Sequence, residues 1–182
     1  ADATDKTPVS RMVDPKYMIP DIQPGTKPEI LDALTAPLSQ DISRGELDSF
    51  HRELLHREEM ASTALGHGFA VPHLRQPQNN PLNGPLVLIG RCPAGCDFVA
   101  LDQNPVYLFF LVVSRSEYSH LNILSKIFGL MHLGGALELF MENREKPDFE
   151  EILVRLEGRL YVNTPERVID IDSPNTSQNK KG

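Results

Sequence analysis

The sequence is short of positive charge: 18 lysines and arginines stand against 25 aspartates and glutamates, a formal net charge of −7. Phosphate backbones are held by clustered Lys and Arg, so this balance argues against a nucleic-acid partner. It leaves room for a local basic patch facing an acidic protein. Cysteine is scarce too. Cys92 and Cys96, in "CPAGCD", are too few for a disulfide framework, and zinc would need two further ligands at suitable spacing. They read as ordinary thiols in a reducing cytoplasm, with redox sensing or a metal as the alternative. Nor does any uninterrupted apolar stretch approach the ~20 residues of a membrane span, so the chain reads as not membrane-inserted. The longest greasy run, "VYLFFLVV", has the length and content of a buried strand. No signal-peptide apolar region follows Ala1, which suits a cytoplasmic chain, processed or cut from a longer one.

What is present is ordinary for a soluble globular chain: 40% hydrophobic and 24% charged residues over 182 positions, length for a single domain with a sizeable core. Residues 1–16 are polar and aperiodic and read as a loose arm, residues 17–158 as the domain, and 159–182 as a tail. The tail's end, "SPNTSQNKKG", has nothing to bury.

Within the domain, "YMIPDIQ" reads as a short strand that Pro20 confines to an edge. "KPEILDALTAPL" spaces Ile30, Leu31, Leu34 and Leu38 as a helix does, with Pro28 in the first turn. A second helix is predicted from Ser43, with Glu46 at capping-box spacing and a buried stripe of Leu47, Phe50 and Leu54. "FAVPH" reads as a strand stopped by Pro72, and "QPQNNPLNGP" as a loop. "LVLIGRC" and "VYLFFLVV" are continuously apolar, as strands covered on both faces are. After Ser114, Leu121, Leu124, Ile127, Phe128 and Met131 mark a helix broken by Gly134-Gly135. "ALELFMEN" continues it, and a last helix starts at Pro147. Helices, strands and helices in one domain give an α/β or α+β layered architecture.

Two histidines bracket "GHGFAVPH". Pro72 biases Val71 towards extended backbone, which delivers His73 at a strand terminus, where layered folds place function. Upstream run Arg57, Glu58, Ser62 and Thr63, then the turn Gly66-His67-Gly68; downstream, His120 and Leu121 open a long helix. In combination these residues, with the "DFVALDQNPV" lead into the core strand, resemble the enzyme IIA domain of the bacterial sugar phosphotransferase system, of the fructose/mannitol and nitrogen-regulatory type. The resemblance covers roughly residues 17–157. It departs at His67, often acidic in that family, at Phe69, at Leu74 and at Gln103. His67 would bring a third imidazole near the site, and Leu74 could alter access for a partner.

The resemblance implies a mixed β-sheet sandwiched between α-helices, with His73 as phosphoryl acceptor in a shallow depression. It further implies His120 as stabiliser of the phosphoryl group, Arg57 as its charge partner, and Ser62 and Thr63 as hydrogen-bonding ligands, with no metal and no cofactor. The donor would be a histidine phosphocarrier protein, and the recipient a IIB cysteine or a regulated protein. The chemistry is sound, since a neutral imidazole has a free lone pair near pH 7. Plainer readings stand beside these. Arg57 and Glu58 could simply pair at a helix end, Ser62 and Thr63 could be turn residues, and the fold could serve as an inert interaction module. A hydrolase built on His67, His73 and His120 lacks any ligand motif.

Overall fold

With Phe69–Ala70 as β1, Leu86–Cys96 as β2 and Val106–Val113 as β3, the chain builds a three-stranded sheet ordered β1-β3-β2, with β3 at its centre. The computed structural model describes residues 6–142 and 148–163. β1 (Phe69–Ala70) pairs parallel to β3, and β2 (Leu86–Cys96) antiparallel, so the sheet is mixed. Parallel pairing reaches beyond β1: Tyr107 N–H donates to Gly68 at 2.8 Å, Val112 N–H to Pro72 at 3.1 Å, and His73 bridges Val112. The segment predicted as one strand is thus extended throughout, with its regular part short because Pro72 brings no N–H.

Alternation along the central strand divides the core in two. Phe109, Leu111 and Val113 pack with Ile30, Leu31 and Leu34 of α1 (Lys27–Thr35) and Phe50 and Leu54 of α2 (Arg44–Met60). Leu108, Phe110 and Val112 face α3 (Glu117–Met131), α4 (Ala136–Glu142) and α5 (Phe149–Asn163). The sheet is therefore sandwiched between helices, as expected. Capping boxes start both helices of the first layer, Thr26 with Glu29 and Ser43 with Glu46. Ser116 caps α3, and Asp148 accepts the Glu151 N–H at 3.0 Å at the head of α5. Pro147 and "SPNTSQNKKG" lie outside the described residues. No single described helix is long and apolar enough to cross a membrane.

Three expectations are corrected. Residues 6–16 are not a loose arm: Val9 and Met12 are buried, Ser10 donates from N and Oγ to Glu157 at 2.8 and 2.7 Å, and Val87 N–H donates to Met12. The segment packs on α3 and α5 because two apolar side chains suffice to anchor it. "YMIPDIQ" contributes one bridge, Ile19 to Gly90, in place of a full strand: Ile19 donates to Ile89 O and accepts from Arg91 N–H, but the next donor to Arg91 O is Ile22, one residue beyond the ladder register. Leu121 leaves the buried stripe of α3 and is 66% exposed, while Ile123 and Leu130 fill the core with Ile127 and Met131. The helix is rotated relative to the predicted stripe, and that rotation turns His120 inward.

Candidate functional site

Backbone pairing on β3 fixes one imidazole and the first turn of α3 fixes another. Beyond the Pro72 and His73 contacts to Val112, Val71 N–H donates to Thr63 O at 3.2 Å, tying the strand to the segment after α2. His73 Nδ1 lies 2.7 Å from Val71 O. A carbonyl only accepts, so the proton is on Nδ1 and the Nε2 lone pair is free. Against this ring stands His120, edge to face, with centroids 4.8 Å apart and planes at 61°.

His120 is only 5% exposed, and neither of its ring nitrogens has a hydrogen-bond partner among the described residues. Leaving buried polar atoms unpaired is costly, and the cost persists in native structures mainly where function uses it. Burial, then the nearby His73 and Arg57, pushes the His120 pKa down to about 4. His73 is also lowered, chiefly by burial and further by Arg57, against the upward pull of the Val71 carbonyl and of Glu58. Both rings are therefore neutral near pH 7: one presents a lone pair, and the other holds an N–H donor beside it.

Arg57 folds back over the end of α2, its Nη1 donating to Ala61 O at 2.8 Å, and its charge reaches both imidazoles. Glu58 does not pair with it. That carboxylate is buried, accepts from Thr63 N and Oγ1 at 2.8 Å each, and meets Lys27 Nζ at 3.5 Å. Ser62 Oγ donates to Phe98 O at 3.3 Å and accepts from Ala64 N–H at 3.1 Å. Both hydroxyl protons are thus donated to the chain's own oxygens. Of the five predicted site residues, His73, His120 and Arg57 share one electrostatic neighbourhood, while Ser62 and Thr63 brace the segment behind it.

Sequence reasoning missed the Glu58–Lys27 pair. No local signal could have found it, since the partners are on different helices 31 positions apart. Two other expectations shift. His67 meets His132 edge to face, centroids 4.7 Å apart, at the far end of α3 from His120, a span of about 18 Å for twelve helical residues. The third imidazole is therefore away from the site, and His67, His73 and His120 are not gathered as a hydrolase would need. Leu74 is 1% exposed and packs in the core, so it does not front a partner. His67 and Gln103 adopt left-handed backbone, φ 60° and 62°. A glycine would adopt this geometry at either position without strain.

A sequence model of the phosphoenolpyruvate-dependent sugar phosphotransferase system EIIA 2 family matches residues 11–155. The chain belongs to this family. A nitrogen regulatory protein of Bradyrhizobium diazoefficiens is 30% identical over 126 residues, 68% of this chain and 80% of that protein. Among solved structures, the nitrogen regulatory protein IIA-Ntr of Neisseria meningitidis superimposes with TM-score 0.67 at 24% identity, over 80% of this chain and 98% of that one. IIA of the Escherichia coli mannitol system, solved in complex with phosphorylated IIB, gives 0.62 at 18% identity, over 80% and 97%. These structural likenesses establish a shared fold: five described helices about a mixed sheet.

Proposed function

We propose that this EIIA-type chain is a phosphohistidine protein: His73 accepts a phosphoryl group from a histidine phosphocarrier protein and passes it to a IIB cysteine or holds it as a regulatory signal. The observation that carries the reading is the 2.7 Å contact from His73 Nδ1 to Val71 O, which leaves Nε2 as the nucleophile. In the transfer, the Nε2 lone pair forms a bond to phosphorus as the donor's P–N bond breaks, its electrons returning to the donor imidazole. The ring of His73 keeps its Nδ1 proton, and the Val71 carbonyl stabilises the charge that develops there. His120 donates one N–H to a phosphoryl oxygen, and Arg57 supplies positive charge. Positioning and charge stabilisation are most of what phosphoryl transfer asks of a protein.

Two uses of the phosphoryl group fit this site. The nitrogen regulatory relative in Bradyrhizobium favours the regulatory one, while the mannitol IIA complexed with phosphorylated IIB illustrates onward transfer in a protein of the same fold. The test is incubation with phosphoenolpyruvate, enzyme I and a cognate phosphocarrier. One phosphoryl group should be added, labile to acid and stable to base. Modification of a serine, or none with a competent donor, would sink the reading.

A further inference from the structure

We propose that a hollow between α2 and the turn that follows His73 binds a small phosphate monoester, at a site separate from the phosphoryl acceptor. It has a volume of about 420 Å³ and is lined by Arg52, Glu53, His56, Arg75, Gln76 and Asn79. That volume is within the range of small-ligand sites. Arg52 and His56 are one helical turn apart on α2 and so share a face. Arg75, Gln76 and Asn79 come from the chain around the short 3-10 turn Pro77–Asn79 opposite.

The charge in this hollow is unbalanced. In a chain of net charge −7, two guanidinium groups line one cavity, and among the described residues neither forms an ion pair. The one carboxylate present, Glu53, is already engaged by Asn79 Nδ2 at 3.2 Å. Arg75 Nη1 has only the thioether of Met60 at 3.8 Å, a weak acceptor. Guanidinium forks match phosphate oxygens in bidentate fashion, and two of them against the single charge of Glu53 leave the hollow net positive towards a monoester. His56 adds a ring nitrogen. Asn79 Nδ2 donates to Glu53 and to Gln76 Oε1 at 3.2 Å each, so Gln76 Nε2 and Asn79 Oδ1 are the amide atoms left for hydroxyls of the group the ester carries.

Calorimetric titration and amide NMR spectra with glucose 6-phosphate, and separately with inorganic phosphate, test this at ionic strength matched with sodium chloride. Glucose 6-phosphate should bind saturably, one per chain, with shifts centred on residues 52–56 and 75–79. The double variant Arg52→Gln/Arg75→Gln should weaken binding at least about tenfold, since charge-assisted contacts are the strong ones. It should keep the wild-type circular dichroism and still be phosphorylated at His73. Absence of saturation, saturation by inorganic phosphate alone, shifts centred on His73 and His120, or undiminished affinity of the double variant would overturn the proposal. Failure of His73 to take up a phosphoryl group would count against the function proposed above and leave this titration standing.

Discussion

His73 and His120 meet edge to face at 4.8 Å, one ring pinned by a backbone carbonyl and the other without a hydrogen-bond partner among the described residues. Equal residues thus hold unequal positions. Pinning fixes the tautomer of His73 and aims its lone pair outward. The missing partner of His120 leaves a donor that a phosphoryl oxygen can satisfy, and its burial makes that contact stronger than it would be in water.

His73→Ala should therefore abolish labelling by the phosphocarrier, because it removes the nucleophile. His120→Ala should slow transfer by about ten- to a hundredfold, less than the loss of a donor in a fully dry site. His120→Gln, which keeps an N–H donor, should recover part of that rate. Rapid-quench labelling measures all three. Labelling that survives in His73→Ala and vanishes in His120→Ala would reverse the roles.

Stability should respond to acid through the same ring. The pKa of His120 is lowered to about 4 in the fold, whereas an unfolded histidine titrates near ~6.5. Between those values the unfolded chain binds a proton that the folded chain does not. Stability is thus fully present above about pH 6.5, falls as pH drops towards 4, and levels below it. His73, lowered in the same direction, adds to the slope. Urea midpoints of wild type and His120→Gln across pH 4–7 read the effect, and the variant should show the shallower dependence. Equal slopes would show that His120 is not desolvated in solution.

Deleting residues 1–14 should destabilise the protein. It removes the buried Val9 and Met12 and both hydrogen bonds from Ser10 to Glu157. For a chain of this size, a net loss of about 2 kcal/mol lowers Tm by about 4–8 °C. Met12→Ser alone should move Tm in the same direction. Unchanged melting of the truncated chain would show that the segment is not docked.

Much of this architecture was legible because its signals are local. The capping box of Ser43 and Glu46 depends on neighbours within a few residues, and an unbroken run such as Val106–Val113 has one comfortable place, the middle of a sheet. His73 and His120 were legible as candidates through the motif, yet their contact was not, since it depends on how α3 is rotated. Placing Leu121 on the buried stripe turned the helix the wrong way. Arg91 shows the same limit more sharply. It interrupts an apolar strand and is 1% exposed, held by Pro20 O and Phe140 O at 2.9 Å each. Those carbonyls come from distant segments. The N-terminal residues misled because anchoring by two apolar side chains leaves no period to read.

The Glu58 network gives the last prediction, and it connects packing to the site. Glu58 is almost fully buried, accepts two hydrogen bonds from Thr63 and is paired with Lys27. Thr63 in turn accepts from Val71 N–H, and Val71 O holds His73. Glu58→Ala orphans Lys27 and both Thr63 donors, so it should cost about 3–5 kcal/mol, the range for breaking a buried pair. Glu58→Gln keeps the shape and an acceptor for the Thr63 N–H, and should cost less. Its effect on the site differs in kind from its effect on stability. The Glu58 charge pulls the His73 pKa upward, so neutralising it should let that pKa fall further below the ordinary histidine range. NMR titration of the His73 ring in Glu58→Gln measures this directly, at pH values where the variant stays folded. An upward shift, or none, would show that the carboxylate acts only as a brace for Thr63.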